Sequence, residues 1–237
     1  MAGWTDIVHR AERWILPSEC MVCHHPSAVG DDGLVCEVCR ARWRPIADPT
    51  CPSCGEHLPL RLECRVCAEW PPDFGPVRSA VRLDPVVRQL VHRFKYQGWW
   101  RLAESFALRM APLVRHVAQA DLVPIPLARR RRRARGYNQA EQLAIALGAI
   151  TGLPVRPERL RRARETVTQT RLTPEHRRAN LATAFSGIED NRPVILVDDV
   201  FTTGATLFSA ASELLDRGAE RVEAVTFARA ELPLTGT

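Results

Sequence analysis

The sequence lacks a membrane span and an export signal. No apolar run in the 237-residue chain approaches the roughly 20 residues that a helix needs to cross a bilayer. The N-terminal segment carries charged side chains throughout, without the basic and then apolar stretches of a secretory signal. We therefore expect a cytoplasmic protein. Cysteine is also absent from most of the chain, because all eight cysteines lie between Cys20 and Cys67.

The eight cysteines form four Cys-x-x-Cys pairs, the spacing of zinc ribbons. Without an export signal, metal binding is favoured over a disulfide framework. We predict up to two structural zinc ions, each held by two consecutive pairs because this closes shorter loops, while an interleaved pairing stays open. The ligand sets are Cys20, Cys23, Cys36 and Cys39, and Cys51, Cys54, Cys64 and Cys67. Contacts of this platform with a partner or nucleic acid are expected from Trp43, His24, His25 or His57, with the histidines as surface residues and not as ligands.

Zinc also changes the charge balance. The formal net charge is +6, but a four-thiolate zinc site contributes four negative charges and one dication, so two such sites lower the total to about +2. Net charge alone therefore does not favour binding to nucleic acid, and only a local basic patch could do so.

Composition divides the chain into three parts. Residues 1–19 repeat apolar side chains at helical spacing, which predicts an amphipathic helix packed on the rest of the chain, with a membrane-surface or partner-protein helix as the alternative. Residues 20–75 hold all the cysteines and little apolar periodicity, so this zinc-ribbon region needs a metal to fold. Residues 77–237 are expected to form one larger domain.

That larger domain alternates between apolar strands and helices. The alternation predicts an α/β fold in which a parallel sheet is covered by helices on both faces. The predicted strands are 77–83, 122–125, 194–197 and 222–227, and the predicted helices are approximately 85–97, 100–118, 138–151 and 204–217. Gly152 and Gly218 directly follow two of these helices, where a left-handed cap is favoured.

Residues 194–206 combine a buried strand, two acids and a loop that opens a helix. Ligands of parallel sheets bind at the carboxyl ends of the strands, and the N–H groups of a helix N-terminus favour an anion there. Gly204 lets the backbone approach a phosphate, while Asp198 and Asp199 offer acceptor oxygens suited to paired sugar hydroxyls. Hydroxyl donors come from Thr202, Thr203 and Thr206. The segment therefore predicts a site for a ribose 5-phosphate.

This segment resembles the signature that binds 5-phosphoribosyl-1-pyrophosphate (PRPP) in type I phosphoribosyltransferases. The resemblance implies that Asp198 and Asp199 hold the ribose hydroxyls, and that Asp199 is the better catalytic candidate because it steadies positive charge on the sugar as pyrophosphate leaves. The implied phosphate cradle is Thr202, Thr203, Gly204, Ala205 and Thr206. Mg²⁺ would be carried by oxygens of the sugar and the pyrophosphate, without a protein ligand.

Further segments resemble the ComF family, in which a phosphoribosyltransferase-like domain follows a cysteine-rich N-terminus. They are residues 51–55 (Cys-Pro-Ser-Cys-Gly), 92–98 (His-Arg-Phe-Lys-Tyr-Gln-Gly), 123–126 (Val-Pro-Ile-Pro) and 135–139 (Arg-Gly-Tyr-Asn-Gln), with Gln169, Arg178 and Asn180. The resemblance implies a double zinc ribbon before the transferase-like domain and a link to natural competence, with single-stranded DNA and the competence machinery as partners.

The arginine-rich loop after the second strand is a candidate pyrophosphate site. Arg135 can bind two phosphate oxygens at once, Gly136 can supply a turn, and Asn138 and Gln139 can donate amide hydrogens. The preceding run, residues 129–133, is interpreted as a solvated basic face, with a phosphate-backbone patch for single-stranded nucleic acid as the alternative.

Two further features stay undecided in the sequence. Residues 160–180 are either a catalytic loop that closes over the substrate or a charged connector without a chemical role. Lys95 lies in a helix that otherwise faces the core through Val91, Phe94 and, less clearly, Tyr96. It either reaches a phosphate or snorkels to the surface.

Three functions are weighed on this basis. The first is a PRPP-binding protein of the ComF family that handles DNA during uptake, and the alternative is an active phosphoribosyltransferase with an unidentified acceptor and Mg²⁺. A zinc-ribbon adaptor is the weakest, because it leaves the phosphate loop unexplained. Residue 2 is alanine, so we expect no N-terminal cysteine nucleophile for glutamine-dependent chemistry. The short segment after the last strand predicts no C-terminal hood over a base.

Overall fold

The computed structural model describes residues 19–26, 34–46, 48–58, 64, 66–68, 70–117, 119–163 and 184–230. The helix predicted for residues 1–19 and most of the segment 160–180 lie outside these residues. The chain divides into two compact units, residues 1–43 and residues 44–237. The first four cysteines therefore belong to the first unit, and the last four belong to the unit that contains the sheet.

The first unit contains the short helix α1 (Glu37–Ala41), which carries Cys39 on its buried side. In chain order the second unit contains β1 (Phe74–Arg82), α2 (Pro85–Tyr96), α3 (Leu102–Met110), β2 (Asp121–Pro124), α4 (Arg129–Arg135), α5 (Gln139–Thr151), β3 (Leu160–Arg162), β4 (Phe185–Gly187), β5 (Val194–Phe201), α6 (Ala205–Asp216) and β6 (Val222–Arg229). No helix among the described residues has both the length and the apolar character to cross a bilayer.

The larger sheet confirms the predicted parallel α/β fold. Its strands follow the order β1-β6-β5-β2, and each neighbouring pair runs parallel. β5 and β6 lie inside the sheet, and their apolar residues are buried on both faces. β3 and β4 form a separate antiparallel pair that the sequence did not predict.

Helices cover both faces of this sheet. On one face, Leu207 and Leu214 of α6 join a buried cluster with Val194, Leu196 and Val222 of the central strands. On the other face, Phe106 of α3 stacks on Phe227 of β6, with ring centroids 3.7 Å apart and planes 9° apart. Alternate residues of a strand point to opposite faces, so β5 and β6 anchor both layers.

The predicted helix 100–118 is shorter than expected. The α-helix ends at Met110 and passes into a 3₁₀ turn, Ala111–Leu113. Pro112 lies in this turn, and its ring nitrogen has no hydrogen to donate to the preceding helical turn. The predicted helix caps are confirmed, since Gly152 and Gly218 have φ values of 76° and 93°.

The helices that reach the carboxyl edge of the sheet are fixed at their first residues. α2 begins at Asp84, whose carboxylate accepts a hydrogen bond of 2.9 Å from the N–H of Val87, and Pro85 occupies its first turn. α5 begins at Asn138, whose side-chain oxygen accepts from the N–H of Ala140 at 3.2 Å. These caps fix the residues at which α2 and α5 begin.

Candidate functional site

The two acids lie near the carboxyl end of β5, just after its pairing with β2 ends at Val197 and where β6 still pairs with it. Oδ1 of Asp198 accepts a hydrogen bond of 2.8 Å from the N–H of Asp199. The side chain of Asp199 is 7% exposed, and Asp198 is partly exposed. Burial, and then the charge of Asp199, raises the pKa of Asp198 to about 7. Two carboxylates at this depth need neighbouring cations.

Lys95 is one of these cations. It lies in the last turn of α2, and its Nζ is 2.7 Å from Oδ1 of Asp199. Its positive charge opposes the rise in the pKa of Asp198. The structure thus places Lys95 beside the acids, where the sequence had left its position open. A signal was present, because Lys95 is the only lysine among the 33 lysine and arginine residues of the chain.

Arg135 is the second cation and comes from the last turn of α4. Its Nη1 donates to Oε1 of Gln139 at 2.8 Å, and its Nη2 donates to the hydroxyl of Tyr96 at 3.1 Å. Its guanidinium carbon lies 4.6 Å from the centre of the Tyr96 ring. Because Tyr96 follows Lys95 directly, this contact joins the end of α2 to the end of α4. The expectation that Tyr96 faces the core is wrong, since the residue is 60% exposed.

Gly136 ends α4 in the left-handed conformation. Its φ is 82°, and its N–H donates to the carbonyl of Arg132 at 2.9 Å. Open space surrounds the position that a Cβ would occupy, so the backbone conformation alone requires glycine here. The predicted turn is therefore present, and it directs the following residues back toward the acids.

Residues 137–139 follow the turn at Gly136, and their side chains make contacts that hold the neighbouring backbone in place. The hydroxyl of Tyr137 donates to the carbonyl of Phe94, and burial, aided by the charge of Asp199, raises the pKa of Tyr137. One amide hydrogen of Asn138 donates to the carbonyl of Ile125 at 3.1 Å, so this residue supports the loop. Gln139 is 2% exposed, and within the described part of the chain its Nε2 has no hydrogen-bond partner. Its Oε1 accepts from Arg135, so Gln139 supports that arginine from a buried position.

The predicted phosphate loop leads directly into α6. Gly204 is the residue before this helix, has a φ of 75°, and leaves the first turn without a side-chain cap. Thr202 and Thr203 are exposed, and Thr206 is partly exposed. A Cβ on Gly204 would lie 2.9 Å from both Phe201 and Trp70, so the space freed by this glycine is filled by two aromatic rings. The loop therefore rests on an aromatic base and presents threonines and helix N–H groups outward.

Both cysteine clusters have the geometry of a zinc site. In each sequential set the four Sγ atoms lie within 4.8 Å of one another, which confirms the predicted pairing. Zn–S bonds of about 2.3 Å in a tetrahedron separate the sulfurs by about 3.8 Å, and the Sγ atoms of Cys23 and Cys36 are 3.8 Å apart. Burial, and then neighbouring thiols, raises the pKa of Cys67 to about 12 when no cation is present. Each cluster fits a structural zinc ion with four thiolate ligands.

Comparisons with known proteins agree with both halves of the chain. Residues 11–68 match the model of the double zinc ribbon domain, and residues 133–231 match that of the phosphoribosyl transferase domain. The DNA utilization protein YhgH of Escherichia coli K12 is 31% identical over 224 residues, covering 88% of this chain and 95% of the relative. The competence protein F of Haemophilus influenzae is 30% identical and covers 89% and 96%.

The chain belongs to the ComF family. Competence protein ComFC of Bacillus subtilis 168 is also similar, with 29% identity over 196 residues that cover 79% of this chain and 80% of the relative. The recognition from sequence is thereby confirmed, together with the zinc-ribbon and transferase-like fold.

The ComF-family chain also holds contacts that sequence reasoning missed. Arg229, at the end of β6, is 4% exposed and donates to the carbonyl of Cys54 at 2.5 Å and to Oε2 of Glu56. The N–H of Val77 donates to the carbonyl of Ser53 at 2.7 Å. These bonds attach the second zinc ribbon to the edge of the sheet. No local pattern marks them, because the partners lie far apart in the sequence.

Contact residues on the zinc platform agree only partly with expectation. His24, His25 and His57 are exposed, and the described metal clusters contain cysteines alone, as predicted. Trp43 is 3% exposed, so its assignment to a contact surface is wrong. Burying a large aromatic side chain is more favourable than leaving it exposed to water.

Proposed function

We propose that this ComF-family protein binds PRPP at the carboxyl edge of its sheet. One observation carries the proposal: β5 brings an acid pair, a loop with threonines and the uncapped start of α6 to the place where Lys95 meets Asp199. Acceptors for a diol and donors for phosphate therefore lie side by side. The phosphoribosyl transferase match over residues 133–231 supports the same ligand class.

The roles follow from the chemistry of each group. Asp198 and Asp199 accept hydrogen bonds from the ribose 2′- and 3′-hydroxyls, and residues 202–206 hold the 5-phosphate. Arg135 and the N–H groups near Gly136 face the pyrophosphate, and the buried side chain of Gln139 supports Arg135. Mg²⁺ bound to PRPP would offset the phosphate charge, and we assign it no protein ligand.

Lys95 is added to the predicted site. In the free protein it neutralises Asp199 at 2.7 Å. The flexible stem and three donors of a lysine allow it to contact a pyrophosphate oxygen while it stays near the carboxylate. Lys95 therefore offsets the negative charge of the acids before PRPP binds, and that of the pyrophosphate after PRPP has bound.

The test is isothermal titration of zinc-loaded protein with Mg²⁺·PRPP. We expect wild type to bind at micromolar to millimolar PRPP, and Asp199→Asn to lose about tenfold or more in affinity. The matched control is Asp216→Asn, an identical change at the exposed end of α6. No binding by wild type at millimolar PRPP would overturn the proposal, as would equal affinity in the Asp199 variant.

Catalysis is a separate outcome of the same ligand. In a transfer reaction the bond from ribose C1 to pyrophosphate breaks, and C1 bonds to the acceptor, which loses a proton. Pyrophosphate release that depends on an added acceptor and disappears in Asp199→Asn would favour the transferase. Binding without release would favour a protein that uses PRPP as a ligand.

We also propose that the chain contacts single-stranded DNA. Relatives named DNA utilization protein and competence protein motivate this proposal, and a surface beside the PRPP site supports it. α4 has six arginines in seven residues and no buried residue. Tyr96, which contacts Arg135, is exposed, as are Trp99 and Trp100 shortly after it. Arginines can contact phosphates, and aromatic rings can stack on bases.

Oligonucleotide binding at several salt concentrations tests this surface. For Arg129→Gln/Arg133→Gln, the slope of log affinity against log salt should fall by about 1.4, because each phosphate contact on a single strand contributes about 0.7. Trp100→Ala should weaken binding with an unchanged slope. The matched control for the arginine pair is Arg109→Gln/Arg115→Gln, which removes the same charge from exposed positions outside α4. Equal slopes in both double variants would contradict the proposal.

We place the protein in the cytoplasm. The support is chemical: eight free thiols grouped as metal ligands persist in a reducing compartment, whereas an oxidising one favours disulfides. Fractionation with a cytoplasmic marker would test this, and recovery with an exported marker would contradict it.

A further inference from the structure

Arg229 lies between the second cysteine cluster and the phosphate loop. Its Nη1 donates to the carbonyl of Cys54 at 2.5 Å. Its Nε and Nη2 donate to Oε2 of Glu56 at 3.2 and 2.5 Å. Its guanidinium carbon lies 4.1 Å from the centre of the Phe201 ring. Phe201 is the last residue of β5 and directly precedes the loop 202–206.

Trp70 makes a second connection between the same two features. Its backbone N–H donates to the carbonyl of Cys67 at 3.1 Å. Its ring is 6.3 Å from that of Phe201 and 4.7 Å from that of Phe74. Together with Phe201 it fills the space on the Cβ side of Gly204, where added carbon would meet either ring at 2.9 Å. The base of the phosphate loop is thus made partly by residues that the cluster holds.

We propose that the second zinc ribbon positions the phosphate loop, with Arg229 and Glu56 as the positioning residues. With the four thiolates of residues 51–67 joined by a metal, the Cys54 carbonyl, Glu56 and Trp70 are fixed. Arg229 and Phe201 then hold the backbone that leads into Gly204. The inference deepens the proposed PRPP function and rests on it.

Coupling of this kind is reciprocal. If the zinc-bound ribbon favours the loop conformation that binds phosphate, bound PRPP must favour zinc retention by the same free energy. A merely structural role for Arg229 predicts lower stability of its variants but no effect of PRPP on the metal. The two readings therefore differ in a measurable way.

The variants are Glu56→Gln, which keeps an acceptor oxygen but removes the charge, and Arg229→Met, which removes the guanidinium group and its hydrogen bonds. Glu213→Gln is the matched control. Its carboxylate also pairs with an arginine, Arg217 at 2.9 Å, but lies far along α6 from the phosphate loop. Arg229→Lys is the conservative variant, since it restores the charge without two-pronged hydrogen bonding.

Two readouts are made on the zinc-loaded full chain: the affinity for Mg²⁺·PRPP by titration, and the rate of zinc release to a chromogenic chelator. We expect saturating PRPP to slow the release of one of the two zinc ions in wild type and in Glu213→Gln. In Glu56→Gln and Arg229→Met we expect about tenfold weaker PRPP binding and zinc release that PRPP no longer slows. For Arg229→Lys, the PRPP affinity and the effect of PRPP on zinc release should lie between those of wild type and Arg229→Met.

The outcomes separate the inference from the function on which it rests. If wild type binds PRPP and Glu56→Gln binds it equally well with protected zinc, the positioning role is overturned and the PRPP function stands. If wild type does not bind PRPP, both are overturned. Should Arg229→Met fail to fold, Glu56→Gln and Arg229→Lys decide the result by the same two readouts.

Discussion

Replacing Asp198 with asparagine should stabilise the free protein and weaken its binding of PRPP. Burial and the charge of Asp199 raise the pKa of Asp198 to about 7, against the opposing charges of Lys95 and Arg135. In an unfolded chain the same carboxyl titrates at its ordinary value of 3.8. Between these two values the folded protein keeps a proton that the unfolded chain has lost.

The sign follows from this difference in bound protons. As pH rises from about 4 to about 7, this residue lowers the free energy of unfolding by up to about 1.4 kcal/mol per pH unit. Above the folded pKa the penalty is complete and constant. Asparagine has the shape of the protonated acid and does not titrate in this range. We therefore expect the stability advantage of Asp198→Asn over wild type to grow by about 2 kcal/mol between about pH 5 and about pH 8.

Urea unfolding of zinc-loaded protein, followed by circular dichroism across this pH range, measures the effect. Asp216→Asn, the same change at an exposed position, is the matched control. A PRPP titration on the same samples should show about tenfold weaker binding for Asp198→Asn, because its amide end donates where a ribose hydroxyl needs an acceptor. A constant stability difference at every pH, or a less stable variant at pH 8, would show that burial of Asp198 does not destabilise the folded protein.

Three further predictions concern the loop, the lysine and the metal. In denaturant titration, Gly204→Ala should lower the free energy of unfolding by about 3 kcal/mol. The reasons are the φ of 75° and the distance of 2.9 Å from the added Cβ to Phe201 and Trp70. Gly152→Ala, with a similar φ in open space, should lose only about 1 kcal/mol, and equal losses would exclude the packing argument. Lys95→Met should bind PRPP about tenfold more weakly by titration. It should also lose more stability at pH 8 than at pH 5, since it leaves the two carboxylates without a neighbouring lysine charge. Unchanged binding would place the lysine outside the site. Full-length protein purified with zinc should yield one zinc ion per cysteine cluster by metal analysis, and a single ion per chain would contradict the two-site reading.

Much of the fold could be predicted because the central strands are buried on both faces. Continuous apolar runs marked β5 and β6 and correctly indicated a parallel sheet. The same apolar pattern predicts that β5 ends at residue 197, which is too early. The strand continues to Phe201 because β6 still pairs with it, with Asp198 opposite Thr226. Backbone pairing is indifferent to side-chain polarity, so apolar patterning does not mark the end of such a strand.

The candidate site was predictable where it is local and not where it depends on tertiary contact. The acids and the phosphate loop lie within nine consecutive residues, which sequence can show. The pairing of Lys95 with Asp199 joins two distant segments. The helix pattern around Lys95 allowed either contact with a phosphate or snorkelling to the surface. The contact of Glu56 with Arg229 spans 173 residues. Composition placed residues 20–75 in one zinc region, whereas contacts group residues from 44 onward with the sheet.

Chemical labelling of Lys95, the single lysine of the chain, shows directly whether PRPP binds beside Asp199. An amine-specific reagent can modify only Lys95 and the N-terminal amine, so mass spectrometry reads the site and an internal control in one sample. With Mg²⁺·PRPP at about ten times its Kd, labelling of Lys95 should slow by about tenfold, while the N-terminal rate stays unchanged. In Asp199→Asn the protection should be lost. Equal labelling of Lys95 with and without PRPP, at concentrations up to millimolar, would contradict the assignment of PRPP to this site.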